Sequence, residues 1–165
     1  MKKKSFLISL VCAAALMLSS CGGGGSALEI FTFDGKPVSQ LLGSSINEVI
    51  NVMGEYLGSG ADDRDVIHRL DYDGIHLWFD DGIFVRAESF EVSDKLAIDG
   101  VSLNKNRAEI IEALGKPESE SQGEGLYGDE DAYEMVFHLS NCVIFLEFGA
   151  DLSVPPSMIN IQRKQ

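Results

Sequence analysis

The segment SINEVINVMG, residues 45–54, aligns without gaps with NRAEIIEALG, residues 106–115. Both segments begin with a residue that commonly caps helices, Ser45 or Asn106, and both carry a glutamate three positions later that can complete a capping box. Both end in a glycine, the residue that most readily takes the left-handed conformation in which many helices stop. The aligned features predict two short helices that belong to an internal repeat.

Apolar residues at helical spacing support both helices. In the first copy, apolar residues recur at i, i+3, i+4 and i+7 on one predicted face: Ile46, Val49, Ile50 and Met53. The second copy keeps Ile110, Ile111 and Leu114 and is followed by Pro117, which prevents the helix from continuing. An apolar stretch that ends in Asp-Gly precedes each helix, at residues 31–35 and 96–100.

Alternating apolar residues after the first helix predict a β-meander. Asp73-Gly74 is a two-residue hairpin turn that joins residues 66–72 to residues 75–79. The next turn, at Asp80-Asp81-Gly82, has a two-residue and a three-residue alternative. We favour the three-residue turn, because it aligns apolar residues and keeps Arg86 off the buried face. The predicted pairs are Tyr72 with Ile75, Leu70 with Leu77, His68 with Phe79, Phe79 with Ile83, Leu77 with Val85, and Ile75 with Ala87.

A second meander follows the second helix. A turn at Ser140-Asn141 aligns two apolar strands, and residues 158–163 after Pro155-Pro156 form a last strand. The predicted pairs are Leu139 with Cys142, Phe137 with Ile144, Met135 with Leu146, and Tyr133 with Phe148, and Ile159 and Ile161 of the last strand point inward.

The predicted fold class is α+β: two tandem repeats of a short helix followed by an antiparallel β-meander, with the helices packed on one face of the sheet. The first helix-meander repeat takes residues 28–92 and the second takes residues 93–165. The sequence leaves open whether the repeats share one continuous sheet or form two small sheets.

The N-terminus has the pattern of a signal peptide. Lysines at positions 2–4 precede an apolar stretch, residues 6–18, that is too short for a permanent membrane span. The stretch ends in Leu18-Ser19-Ser20-Cys21, which resembles the bacterial lipobox, whose cysteine receives a diacylglyceryl group. An ordinary secretory leader with an accidental cysteine is the alternative. We predict a lipoprotein signal peptide at residues 1–20, and a lipid-modified Cys21 that begins a glycine-rich tether, residues 21–27.

Lipidation at Cys21 sets the expected location and the cysteine chemistry. Acyl chains on this residue anchor the mature chain to the extracytoplasmic face of the cell membrane, with the periplasmic face of an outer membrane as the alternative. Cys12 leaves with the leader, so Cys142 is the one thiol left and no internal disulfide is expected. The strand-like neighbours of Cys142 indicate a buried apolar side chain.

The chain is strongly acidic. Its 26 Asp and Glu residues against 13 Lys and Arg give a net charge of -13, which becomes -16 when the three lysines of the leader are removed. Such a surface repels phosphate backbones, and nucleic-acid binding is therefore not expected.

The predicted pairing leaves an unusual set of residues on the other face of the sheet. In the first copy it sets Trp78 opposite Phe84 and Arg69, and His76 opposite Arg86. Aromatic residues and arginine are enriched at protein interfaces. The residues predicted to bind a partner are Arg69, His76, Trp78, Phe84, Arg86, Val136 and Phe145, and with Val143 the apolar members would form one patch. Coverage of this face within the monomer, by residues 28–33, a loop or the other repeat, is the alternative.

Catalytic and metal-binding patterns are weak. None of the three histidines has a partner at metal or triad spacing, and His68 is predicted to lie on the buried face. Residues 118–134 hold seven acids and no base. A calcium site at Asp129, Asp131 and Glu134 is one interpretation, but EF-hand spacing is absent and a solvated loop is favoured. We therefore expect no cofactor, no bound metal and no enzymatic activity.

The second helix and its flanks, Asn104 to Pro117, are similar to segments of a known superfamily. A helix that ends in Gly-x-Pro before a hydrophobic meander resembles β-lactamase-inhibitor-like proteins and the small outer-membrane lipoproteins of the barrel-assembly machinery. The resemblance covers most of residues 34–163, although Gly54-Glu55-Tyr56 in the first copy lacks the proline. It implies a non-catalytic binding module whose sheet face holds a partner, and it implies no particular partner.

The sequence thus leads to three hypotheses. The first is a membrane-tethered module that binds an envelope or extracellular protein or peptide on its open sheet face. The second is an envelope lipoprotein that binds a solute or a cation. The third is an envelope scaffold without a discrete ligand.

Overall fold

The computed structural model describes residues 27–61, 66–123 and 131–164. The predicted signal peptide, the lipidation site Cys21 and all but the last residue of the predicted tether lie outside the described residues. Among the helices of the described residues, none is long and apolar enough to cross a membrane.

The fold is α+β and consists mostly of strands. In chain order the elements are β1 (Phe31–Phe33), α1 (Val38–Leu41), α2 (Ile46–Met53), β2 (Gly58–Ala61), β3 (Ile67–Tyr72), β4 (Ile75–Asp80), β5 (Ile83–Ser89), β6 (Leu96–Ile98), β7 (Val101–Ser102), α3 (Arg107–Leu114), β8 (Ser119–Gly123), β9 (Ala132–His138), β10 (Cys142–Phe148) and β11 (Met158–Arg163). The strand β8 lies in the acidic segment for which a loop was predicted. Its backbone pairs with β9, from Ser119 opposite Val136 to Gly123 opposite Ala132, and so adds an edge strand to the sheet.

One eight-stranded antiparallel sheet dominates the molecule, with the order β2-β3-β4-β5-β11-β10-β9-β8. The strands β5 and β11 pair at its centre, where Arg86 lies opposite Gln162. The two meanders therefore form one continuous sheet. A second sheet of three strands, β1-β6-β7, unites the two apolar stretches that end in Asp-Gly.

The helices α2 and α3 form as predicted. The Ser45 hydroxyl accepts a hydrogen bond from the backbone of Glu48, whose carboxylate accepts one from the Ser45 backbone at 2.8 Å. Asn106 and Glu109 form the same capping box, with distances of 3.1 and 3.0 Å. Each helix ends at a glycine of positive φ, which is Gly54 after α2 and Gly115 after α3.

The core lies on one side of the large sheet. Inward side chains such as Leu77 and Ile144 pack in one cluster with Val49 of α2 and Ile110 of α3. Phe31 of the small sheet belongs to the same cluster. The helices and the small sheet thus lie on the same side of the large sheet. One alternative had proposed that residues 28–33 cover the opposite face, and residues 31–33 do not.

The β3–β4 and β9–β10 hairpins have the predicted registers. Leu70 lies opposite Leu77 in the first hairpin, and Phe137 lies opposite Ile144 in the second. In β11, Ile159 and Ile161 are buried, also as predicted.

The predicted register between β4 and β5 is wrong. The turn has two residues, Asp81 and Gly82, both with positive φ, and this type I′ geometry suits a twisted hairpin. Phe79 therefore lies opposite Phe84, and Val85 is an extra residue that forms a β-bulge. The bulge returns Arg86 to the outer face. Phe84 is consequently a core residue with 0% exposure, not the exposed residue that was predicted.

A second bulge overturns the predicted position of His68. In the β2–β3 pair, Gly60 lies opposite Arg69 and Ala61 lies opposite Ile67, so His68 is the extra residue. The His68 ring stacks on Trp78 instead of entering the core opposite Phe79. Gly60 makes room for this ring, because a Cβ at that position would lie 2.9 Å from His68 Nε2.

Candidate functional site

The outer face is the face of the eight-stranded sheet opposite the helices. The strand registers align two rows of residues across it. The first row is Gly60, Arg69, Trp78, Arg86, Gln162, Val143 and His138, and the second is Gly58, Asp71, His76, Glu88, Asn160, Phe145, Val136 and Ser119.

Trp78 lies between cations on β4. The guanidinium carbons of Arg69 and Arg86, on the two neighbouring strands, lie 5.4 and 5.0 Å from the centre of the Trp78 ring. The His68 ring stacks on the indole with centroids 6.1 Å apart. We call these four residues the Trp78 cluster. Such cation–π contacts hold the indole in place while leaving it half-buried.

An ion pair and a histidine hydrogen bond fix one side of the Trp78 cluster. The Asp71 carboxylate lies 2.8 Å from Arg69 Nε and 2.6 Å from His76 Nδ1. Burial of this carboxylate acts to raise its pKa, but hydrogen bonds from His76 and Arg69 outweigh burial and hold the pKa of Asp71 below its usual value. Asp71 therefore stays ionised and helps to keep Arg69 over the indole.

A buried polar pair occupies the middle of the outer face. Glu88 and Asn160 are each 2% exposed, and the Asn160 amide donates a hydrogen bond of 3.1 Å to the Glu88 carboxylate. Arg86 lies 3.4 Å from the same carboxylate. Arg86 and Gln162 lie between Trp78 and Val143 in the same row, so Trp78 and Val143 are three strand spacings apart, about 14 Å. The predicted single apolar patch therefore does not form.

The half of the outer face beyond this pair is more closed than predicted. Val136, predicted to be exposed, is only 8% exposed, and Phe145 beside it is half-buried. Next to them, Glu134 lies opposite Glu147. Burial, and then the Glu147 charge, raise the pKa of Glu134 above its usual value.

A groove opens beside Trp78 where β4 and β5 approach their shared turn and β11 ends. Its volume is about 660 Å³, and it is lined by Trp78, Phe79, Val85, Arg86, Gln162, Arg163 and Lys164. The exposed Arg163 guanidinium lies against Gly43. None of the ion pairs among the described residues includes Arg163. The Lys164 ammonium donates to the Leu139 carbonyl at 2.5 Å.

Positive charge is concentrated at this place. The described residues include nine lysines and arginines: Lys36, Arg69, Arg86, Lys95, Lys105, Arg107, Lys116, Arg163 and Lys164. Four of the nine, Arg69, Arg86, Arg163 and Lys164, contact Trp78 or line the groove beside it. The groove is thus a basic site on a chain of net charge -13.

The structure brings together part of the predicted partner-binding set. Arg69, His76, Trp78 and Arg86 occupy adjoining strands of the outer face. His76 was predicted to lie opposite Arg86, but it lies opposite Glu88. Phe84 is in the core, while Val136 and Phe145 lie in the other half of the sheet.

Six residues of the Trp78 cluster and the groove lining were not in the predicted partner-binding set: His68, Phe79, Val85, Gln162, Arg163 and Lys164. The adjacent Arg163-Lys164 pair in so acidic a chain was a usable signal. The pairing of β5 with β11, which brings this pair to Arg86, has no local signal.

No cluster of three metal-ligating side chains occurs within 27–61, 66–123 and 131–164. In the alternative calcium set, Asp131 and Glu134 are described and Asp129 lies outside the described residues.

No protein-family model matches the chain, and no curated protein matches it. Two solved structures are similar in part. A DUF4309 family protein, YjgB, from Bacillus subtilis has 15% identity and a TM-score of 0.47, with 73% of this chain and 79% of that chain covered. An extracellular protein containing a SCP domain from Bacillus anthracis has 7% identity and a TM-score of 0.49, with 99% of this chain and 50% of that chain covered. This chain therefore spans about half of the second protein. Similarity at this level assigns neither a family nor a function.

Proposed function

We propose that this protein is a non-catalytic extracytoplasmic lipoprotein, anchored to the membrane through Cys21, that binds a protein or peptide on the outer face of its sheet. The single observation that carries the proposal is the half-buried Trp78 between Arg69 and Arg86 beside an open groove. Tryptophan and arginine are the residue types that most often dominate the free energy of binding at interfaces.

The shape of the outer face supports a docking surface of limited extent. The Trp78 cluster and the groove are adjoining, whereas the half of the sheet with Val136 is closed and carries the Glu134–Glu147 pair. A partner would therefore contact the β3–β5 half and the end of β11.

We further propose that the chain consists of two tandem repeats, residues 28–92 and 93–165. The capping boxes of α2 and α3 support this division, as do the four strands of the large sheet that follow each helix, β2–β5 after α2 and β8–β11 after α3. The strand order also supports the division, because β5 and β11 pair at the centre of the sheet while β2 and β8 lie at its two edges. Under this division both repeats contribute strands to the outer face, and the cationic groove lies where the two repeats meet.

The anchor has its own test. Cells that express the chain and are fed labelled palmitate are expected to yield labelled protein in the membrane fraction. Cys21→Ser is expected to remove both the label and the membrane association. Label retained in the Cys21→Ser chain would contradict lipidation at this residue.

The docking surface is tested by photo-crosslinking in the native host. A photo-crosslinking amino acid in place of Val85, which lines the groove, is expected to capture a discrete protein or peptide, and Trp78→Ala is expected to abolish the product. Val154→Ala is the matched control, because Val154 is exposed and lies before the start of β11, whereas the groove lies at the end of β11. A product of equal yield in the Trp78→Ala protein would contradict the proposal.

A solute-binding lipoprotein is the second candidate function. The observation in its favour is the groove volume of about 660 Å³, which lies within the range of small-molecule sites. A small anionic solute that binds the groove, with no protein captured by crosslinking, would favour this candidate over the first.

A further inference from the structure

We infer that the groove beside Trp78 binds the carboxylates of a short acidic segment in the partner protein. The inference rests on the proposed function, since it specifies the chemistry of the partner that docks on the outer face. It is carried by charge complementarity between the groove and that segment.

The groove holds positive charge that the described residues leave largely uncompensated. Arg163 takes part in none of the ion pairs in the described part of the chain, and its guanidinium is exposed. Lys164 is held by a neutral carbonyl, that of Leu139, so its charge also remains. Among the three cations that line the groove, Arg86 has a described carboxylate within salt-bridge distance, that of Glu88, which it shares with Asn160.

The lining of the groove suits carboxylates on a peptide. A guanidinium offers parallel N–H donors that match the two oxygens of a carboxylate. The groove is lined by Arg86, on the outer face, and by Arg163, which lies opposite the buried Cys142 at the end of β11 with its guanidinium against Gly43. The Gln162 amide, which also lines the groove and lies opposite Arg86, can both donate to and accept from a peptide bond. The half-buried Trp78 ring supplies an apolar surface for the segment's backbone and methylene groups.

The occupant is a short acidic segment rather than a long polyanion. Two exposed carboxylates, Asp80 and Asp81, stand at the turn next to the groove. The Glu134–Glu147 pair lies farther along the same face. A polyanion requires a continuous basic track, and here the basic site is local and the surrounding chain repels negative charge.

The chain has a single tryptophan, so its fluorescence reports directly on this groove. The probe is a blocked peptide with two adjacent glutamates between neutral residues, and the matched peptide has two glutamines instead. In buffer of low ionic strength we expect the glutamate peptide to change Trp78 emission in a saturable way below about 10 mM, and the glutamine peptide to leave it unchanged.

Two variants with the same change in charge localise the effect. Arg163→Gln is expected to weaken binding of the glutamate peptide by about three- to fivefold, since one exposed ion pair is lost. Lys116→Gln, in the connection between α3 and the far edge strand β8, is expected to leave binding unchanged. Arg163 is exposed, so unchanged urea unfolding of Arg163→Gln is expected and separates lost binding from lost fold.

Each other outcome overturns the inference. Equal binding of the two peptides, no binding of the glutamate peptide, or equal effects of Arg163→Gln and Lys116→Gln would exclude recognition of carboxylates by this groove. A response to dextran sulfate without a response to the peptide would assign the groove to polyanions instead. If crosslinking depends on Trp78 but is insensitive to Arg163→Gln, the inference fails while the proposed function stands. If crosslinking does not depend on Trp78 and the glutamate peptide does not bind, both the inference and the proposed function fail.

Discussion

Phe84→Ala gives a quantitative test of the β-bulge that organises the outer face. Phe84 is fully buried, and its ring lies 5.6 Å from that of Phe79. Truncation of a buried phenylalanine typically costs about 3–5 kcal/mol, because apolar contacts are lost and a cavity remains. The total stability of a domain is about 5–15 kcal/mol, so the loss is a large share of it. With a urea m-value of about 2 kcal/mol/M, the unfolding midpoint is expected to fall by about 1.5–2.5 M.

Phe90→Ala is the matched control. Phe90 follows β5 directly and is 49% exposed, so its truncation is expected to lower the free energy of unfolding by less than about 1 kcal/mol. Urea unfolding of both variants, followed by circular dichroism, gives the comparison. If Phe84→Ala were no more destabilising than Phe90→Ala, Phe84 would point outward, and the three-residue turn at the end of β4 would have to be reinstated.

Three further predictions concern capping, charge and thiol chemistry. Ser45→Ala and Asn106→Ala are each expected to lower the free energy of unfolding by about 1 kcal/mol, because each removes a capping box; losses near zero in urea unfolding would contradict the caps. Glu134 has a pKa raised by burial and by Glu147, so its contribution to stability is full below the unfolded pKa and is lost as pH rises through the folded pKa. Glu134→Gln is therefore expected to raise thermal stability at neutral pH and not near pH ~4, and a gain that does not depend on pH would exclude this cause. Burial raises the pKa of Cys142 to about 11, so alkylation of this thiol, mapped by mass spectrometry, is expected to be slow in the folded protein and fast in urea; rapid alkylation without urea would contradict a buried thiol.

The sequence was most informative where a signal is local. The helix α2 carries its cap, its apolar spacing and its terminal glycine within ten residues, and the structure has all three. The β3–β4 hairpin has a two-residue Asp-Gly turn and clear alternation on both sides, which leaves one register with an apolar face. Short-range chemistry of this kind is enough to predict these two elements without knowledge of distant contacts.

The register of β5 could not be decided in this way. Residues 83–87 contain apolar residues at both odd and even positions, so two registers give an apolar face. The choice depends on the left-handed conformation of Asp81 and on a bulge at Val85, and the packing of Phe84 against Phe79 compensates for the irregularity. Alternation alone carries no information about a bulge. The same reason explains the wrong placement of His68.

The groove was missed because it depends on a distant strand pair. Arg86 and Gln162 are far apart in the chain and become neighbours only through pairing of β5 with β11. The residues of the first meander, Arg69, His76, Trp78 and Arg86, were grouped correctly since one local meander holds them. Arg163 ends the last strand and Lys164 follows it, so neither belongs to that meander.

Quenching of Trp78 fluorescence by small ions tests the central claim most directly, that a reachable indole lies in a basic site on the outer face. The net charge of -13 alone would attract caesium and repel iodide. We predict the opposite for the folded protein: at low ionic strength iodide quenches at least about twice as strongly as caesium, and Arg163→Gln reduces the difference. In urea the preference for iodide should disappear. Stronger quenching by caesium, or no quenching by either ion in the folded protein, would show that Trp78 is not exposed in a basic groove and would contradict the account.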